Sequence, residues 1–120
     1  MNKRALSLGL AAAAVGAVVM YHAIAPAEEV RQVVEGKEIY LKSCKECHGV
    51  LGSPTKAALR KYEKIRDFTD AEFFKTKKDA ELLESIEKGK GRDMKGFAEK
   101  LSKDDIKAVL VYVHTLAKKA

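Results

Sequence analysis

The 120-residue chain has no tryptophan, only two prolines and two cysteines, and just 7% aromatic residues. With so few rings, and with 33% of its residues charged, it has little from which to build a large apolar core. A domain of fewer than about 100 residues often leans on a disulfide, a metal or a cofactor instead. Internal repeats and low-complexity linkers are absent. After residue 28 no stretch alternates apolar and polar residues convincingly, which argues against a sheet. A strong basic excess is missing too. Lys3 and Arg4 are two of the 23 basic residues, so residues 28–120 hold 21 against 17 acidic ones, a net +4. That excess suits an acidic protein partner better than a nucleic acid, which asks for clustered basic residues.

One stretch carries no charge. From Ala5 to Ile24 there are 20 residues without Asp, Glu, Lys or Arg, preceded by Lys3 and Arg4. This pattern is an export signal, with a small-x-small cleavage site at Ala25-Pro26-Ala27 and cutting before Glu28. A cut after Ala23-Ile24-Ala25 would leave Pro26 next to it, which is unfavourable. The alternative is an uncleaved anchor, since about 20 helical residues span the hydrocarbon core. The expected organisation is therefore residues 1–27 as signal peptide or N-terminal membrane anchor and residues 28–120 as one domain. The positive n-region places that domain outside the cytoplasm, in a periplasm or its equivalent, either soluble or tethered to the inner membrane through residues 5–24.

The domain reads as four helices joined by loops. The first runs from about Glu29 to Ser43, with Val30, Val33, Val34, Ile39, Tyr40 and Leu41 apolar. A short second one starts near Thr69, with Thr69 and Glu72 as a capping box and Phe68 stapled to Phe73. The third covers about Lys78 to Lys88, with Leu82, Leu83 and Ile86 on one face and Gly89 as its stop. The fourth runs from Lys103 to about Lys118 behind a Ser102 cap. Asp104 and Asp105 open it and Lys118 and Lys119 close it, in keeping with the helix dipole. Its buried stripe is Ile106, Val109, Leu110, Val113 and either Leu116 or Ala117. Between Gly49 and Asp67 the pattern is mixed: "KAALRKYEKI" favours helix, but Gly49, Gly52 and Pro54 make its start a loop.

Both cysteines fall in "SCKECHGV", residues 43–50, as Cys44 and Cys47, with His48 next. Helical residues three apart share a face, with Cβ atoms about 5–6 Å apart. Two thiols so placed reach one flat ligand, and the following imidazole can turn toward its centre. C-x-x-C-H is the attachment signature of c-type haem, with two thioethers at the porphyrin edge and the imidazole on iron. The second ring nitrogen of His48 is then free to bond a backbone carbonyl in the loop after Gly49. Three other readings compete. Structural zinc needs two more soft ligands, and only His22 and His114 remain. A thioredoxin-like pair needs a βαβ context. A disulfide would close a very short loop and stabilise little.

With these residues in place the chain resembles a class I c-type cytochrome over nearly all of residues 29–120. Gly36 and Tyr40 precede "CKECHG" as small and aromatic helix residues do in that family, and "MKGFAEKLSKDDIKAVLVYVHTL" resembles its Met-bearing loop and C-terminal helix. The resemblance implies a small all-α cytochrome c-like domain whose first and last helices cross. It also implies one covalent haem c held by His and Met. The residues themselves point the same way for the second ligand. Met94 is the one methionine after His48, and it sits among Gly89, Gly91 and Gly96 in a polar loop. A neutral thioether there raises a haem potential; the alternative is a Met that fills a core gap. The family often has Pro after this Met where this chain has Lys95, which implies a looser loop. His114 is the rival ligand.

Gly36 costs a helix about 1 kcal/mol relative to Ala, and a close approach of the last helix near Tyr40 and Tyr112 would explain it. Lys75, Lys77, Lys78, Lys88, Lys90, Arg92 and Lys95 either are simply solvated or ring a haem edge and attract an acidic partner. The functional expectation is an exported monohaem electron carrier with redox-protein partners, and not an enzyme. The alternatives are a tethered haem subunit of a membrane oxidoreductase and, last, a haem peroxidase or gas-binding sensor.

Overall fold

A computed structural model describes the backbone of residues 13–117 and the side chains of residues 27–117. Lys3, Arg4, residues 5–12 of the uncharged stretch, Lys118 and Lys119 lie outside the described residues. Among those described, no helix is long and apolar enough to cross a membrane. The chain divides into two compact units, Met1–Val30 and Arg31–Ala120. In the first, the described residues are helical. The second carries the site.

The elements are α1 (Ala13–Ser43), α2 (Lys45–His48), α3 (Lys56–Lys61), α4 (Ala71–Thr76), α5 (Asp79–Lys88), a hairpin of β1 (Gly89–Lys90) with β2 (Met94–Lys95), and α6 (Lys103–Ala117). The core of the second unit joins Tyr40 of α1 to Val109, Tyr112, Val113 and Leu116 of α6, with Val33, Ile39, Leu41, Phe68, Phe74 and Ile86 around it. Val34, by contrast, is 53% exposed. Val33, Gly36 and Tyr40 recur at helical spacing, and Val34 falls off that stripe. On α6 the stripe takes Leu116 and adds Ala108 and Tyr112.

The crossing of α1 on α6 depends on Gly36. A Cβ there would run into the carbonyl oxygen of Ala108, with the carbonyl carbon at 2.5 Å and the Tyr112 Cβ at 3.0 Å. The expected close approach is therefore what the structure contains.

Two helix starts differ from expectation: α1 begins at Ala13 instead of near Glu29, because the apolar stretch before it is helical as well, and α4 has a different cap. Ser102 caps α6: its Oγ accepts from the Asp105 N–H at 3.1 Å, and Asp105 Oδ2 accepts from the Ser102 N–H at 2.9 Å. This reciprocal pair satisfies two donors the helix leaves open. For α5, Glu81 reaches back to the Lys78 N–H at 3.0 Å. The cap of α4, however, is Asp70 and not Thr69. Asp70 Oδ1 accepts from the Glu72 N–H at 3.0 Å, while the Thr69 hydroxyl donates to Asp67 Oδ1 at 2.6 Å. Thr69 is captured by a neighbouring turn and cannot cap. The Phe68–Phe73 pairing does form, with ring centroids 6.3 Å apart. The ambiguous "KAALRKYEKI" yields the short α3, started by Thr55, whose Oγ1 accepts from the Ala58 N–H at 3.1 Å. A further difference is the two-residue antiparallel pairing, Gly89 with Lys95 and Lys90 with Met94. Strands this short carry no alternation to read.

Candidate functional site

The site begins where α1 ends. The Cys44 N–H donates to the Tyr40 carbonyl at 2.8 Å, and α2 then makes one turn in which the His48 N–H donates to the Cys44 carbonyl at 3.0 Å. That turn sets Cys44 and Cys47 three residues apart, both half-buried and both free thiols. Gly49 leaves the turn at φ 78°, and a Cβ on it would strike the Ser53 carbonyl oxygen. Only glycine meets both demands.

The loop from Gly49 to Thr69 folds back over His48. The imidazole Nδ1 lies 3.3 Å from the Arg66 carbonyl, and the ring stacks on Phe68 with centroids 4.4 Å apart and planes at 16°. A carbonyl can only accept, so this contact makes Nδ1 the protonated nitrogen and leaves Nε2 with its lone pair. The loop carbonyl expected to hold the second ring nitrogen is thus that of Arg66. Arg66 and Phe68 are held in turn. The Phe68 N–H donates to the Gly52 carbonyl at 2.8 Å. Asp67 accepts from the Thr69 N–H at 2.8 Å and from the Ser53 hydroxyl at 2.9 Å. The "DFT" of residues 67–69 is an Asx-turn signature that sequence reading passed over.

Asp67 supplies a pH test. Burial raises its pKa, but the hydrogen bonds from Thr69 and Ser53 outweigh that and hold it below the usual carboxylate range. A depressed carboxylate contributes stability above its unfolded pKa of about 4, and the contribution is lost as pH falls through the folded value. Asp67→Asn should therefore cost about 1–2 kcal/mol near neutral pH. It should also flatten the stability profile below about pH 4, where the two proteins converge. Denaturant melts at pH 7, 4 and 3 check this, and a constant gap across all three would contradict it.

The environment of the motif keeps the Cys44 thiol and the His48 ring uncharged. Burial, with Cys47 adding, pushes the Cys44 thiol up to about 11, so it stays protonated at neutral pH. Burial also lowers the His48 pKa against an opposing push from the Arg66 carbonyl, and the ring is neutral as a metal ligand must be. Among the described residues no three His, Cys, Asp or Glu side chains are grouped to hold a metal ion. Cys44, Cys47 and His48 therefore do not converge on a point as zinc ligands would. They present two separate thiols and a neutral imidazole with a free Nε2. That donor set fits a haem joined at its edge through Cys44 and Cys47 with His48 toward the iron.

Met94 comes from a different element. It is half-buried on β2 opposite Lys90, and Lys95 is held by pairing with Gly89 where a proline would have stiffened the loop. The Phe97 N–H bonds the Ile86 carbonyl at 2.9 Å and the Ala98 N–H bonds that of Glu87 at 3.1 Å, fastening the segment to α5. Lys61 lies 5.1 Å above the Tyr62 ring. The rival His114 is occupied elsewhere: its Nε2 is 2.9 Å from Asp79 Oδ1 and its ring is 4.8 Å from Phe74. Of the exposed lysines, Lys75 pairs with Glu72 and Lys88 with Glu84. Lys77, Lys78, Lys90, Arg92 and Lys95 are exposed and form no ion pair among the described residues.

Comparison with known proteins finds a family model, a curated relative and solved structures that match. The family model described as cytochrome c oxidase, cbb3-type, subunit III matches residues 31–113. The cbb3-type cytochrome c oxidase subunit FixP of Azorhizobium caulinodans is 33% identical over 82 residues, 68% of this chain but only 26% of FixP. Among solved structures the KustC0563 c-type cytochrome is 36% identical with a TM-score of 0.62, covering 68% of this chain and 95% of that one. A Tyr-to-Phe variant of that cytochrome aligns at 34% identity with the same TM-score of 0.62.

Proposed function

The chain belongs to the family of cytochrome c oxidase, cbb3-type, subunit III, and from that membership we propose that it is an extracytoplasmic monohaem module serving a cbb3-type oxidase system. Electron transfer by a c-type cytochrome domain with covalent haem c is its function. The haem, when bound, supplies a one-electron couple between ferric and ferrous iron.

The chain's own residues supply the rest. Cys44 and Cys47 would hold the haem through thioethers, and His48 and Met94 would bind its iron. The observation that carries this assignment is the His48 ring, fixed through Nδ1 on Arg66 with Nε2 free beside two unpaired thiols. Both iron ligands sit on braced elements, α2 under the 49–69 loop and the hairpin fastened to α5, so little needs to rearrange between oxidation states. The unpaired Lys77, Lys78, Lys90, Arg92 and Lys95 favour an acidic redox partner and a brief, salt-sensitive encounter. Residues 1–27 serve as signal or tether for a domain outside the cytoplasm. The role is that of an electron carrier and not of an enzyme.

Optical spectra of the haem-loaded protein test the ligand pair. The expected result is a low-spin spectrum with the weak far-red Met–ferric band and no response of the reduced form to carbon monoxide. Met94→Ala should lose the band and gain carbon monoxide binding. A high-spin wild type, or one that binds carbon monoxide readily, would favour ligand binding or catalysis instead.

A second reading is a haem subunit fixed within a larger complex. FixP favours it, because the chain spans about a quarter of that relative's length (26%). The near-complete cover of KustC0563 (95%) favours the free carrier. Sedimentation of the native protein from its host separates them: a free carrier runs at its own mass, a fixed subunit with its complex.

A further inference from the structure

Tyr40 is 0% exposed although it carries a hydroxyl. Packing α1 on α6 needs only the ring, which lies 5.3 Å from Tyr112 and 6.4 Å from Phe68. A hydroxyl buried there without a partner is unfavourable, and the Tyr40 hydroxyl has one on the far side of the thiol turn. It donates to the Gly49 carbonyl at 2.7 Å, with the His48 carbonyl at 3.4 Å. Among the described residues the other group near the Gly49 oxygen is the Gly52 N–H, at 3.4 Å. Burial first, then the nearby Cys44, Tyr112 and Asp67, raises the phenol pKa well above its ordinary value, so it remains a donor at any physiological pH.

We infer that Tyr40 is a positioning residue for His48: its hydroxyl pins the backbone just after the imidazole, so that the ring stays on Phe68 with Nδ1 on the Arg66 carbonyl. The inference rests on reading His48 as the iron ligand. Three restraints meet on this residue. Tyr40 holds the Gly49 carbonyl, Arg66 holds Nδ1, and Phe68 covers one face of the ring. The first sets how the other two are met, because Gly49 is the point from which the chain turns back toward Ser53 and the 66–69 segment. A hydrogen bond at Nδ1 makes Nε2 a stronger donor, and a stronger donor favours the ferric state. A slack turn weakens that bond and shifts the couple toward the ferrous state.

The test is Tyr40→Phe in the haem-loaded protein, which keeps the ring and its volume and removes the hydroxyl. The control is Tyr112→Phe, on the ring packed against Tyr40 but with no hydrogen bond to residues 48–53. The expected result is a low-spin, covalently loaded Tyr40→Phe protein whose midpoint potential has moved upward, with Tyr112→Phe at the wild-type value. An unmoved potential, or an equal shift in both variants, overturns the inference. Should Tyr40→Phe fail to accumulate, nuclear magnetic resonance of the wild type decides. A Tyr40 hydroxyl proton protected from exchange is expected, and a rapidly exchanging one overturns the proposal. His48→Ala separates the two readings. If the low-spin spectrum survives it, the ligand assignment falls; if it is lost while Tyr40→Phe leaves the potential unmoved, only the positioning role falls.

Discussion

Gly36→Ala is expected to destabilise the domain by about 3 kcal/mol, a typical cost for forcing a methyl into a tight packing site. The change works against a local gain, because Ala is favoured over Gly inside a helix by about 1 kcal/mol. The clash decides the sign. The new methyl would occupy the space of the Ala108 carbonyl, with the Tyr112 Cβ 3.0 Å away. Backbone cannot swing aside as a side-chain tip can, so α1 and α6 must separate. Separation opens the contacts of Tyr40 with Val109, Tyr112, Val113 and Leu116, which make up the buried cluster. A small domain has little other core to draw on. Denaturant unfolding of haem-loaded wild type and variant measures the loss, and a variant at least as stable as wild type would falsify the crossing as described.

The double substitution Cys44→Ala, Cys47→Ala should abolish covalent haem. On a denaturing gel, haem stain should remain with the wild-type chain and vanish from the variant, while either single substitution retains part of it. Cys44 and Cys47 are the only thiols in the sequence, and both are free. The fold should weaken as well, because a group bound only by the native state stabilises it by mass action, and a group that can dissociate does so less. Haem that stays with the denatured double variant would mean attachment through another residue, and the assignment of the motif would be lost.

Much of this was legible in the chain because its causes are local. Spacing of three residues on one helical turn brings Cys44 and Cys47 to one side wherever that turn is placed. The Ser102 cap and the Gly89 stop need only their own neighbours. A loop carbonyl for His48 could be expected on chemical grounds. Arg66 could not be named, because 18 residues separate it from His48 and the turn at Asp67 sets where it lands.

The choices that escaped the sequence are those in which two partners competed. Thr69 and Asp70 are both sound N-caps, and Asp70 serves because Asp67 had taken the Thr69 hydroxyl. Leu116 and Ala117 both continue the stripe of α6, and the depth of the seam at Tyr40 selects Leu116. Phe68 was legible as a staple for Phe73, but it also stacks on His48. Tyr40 was legible as a packing ring, but its hydroxyl crosses to Gly49. By itself, then, the sequence determined α5, α6, the C-terminal end of α1 and the thiol–imidazole turn, all from interactions within a few residues, whereas the reason for Gly36 lies in its contact with Ala108 and Tyr112 of α6. Only the tertiary structure decided which carbonyl holds His48, which ring covers it and which hydroxyl braces it, because those partners meet only after the chain has closed on itself.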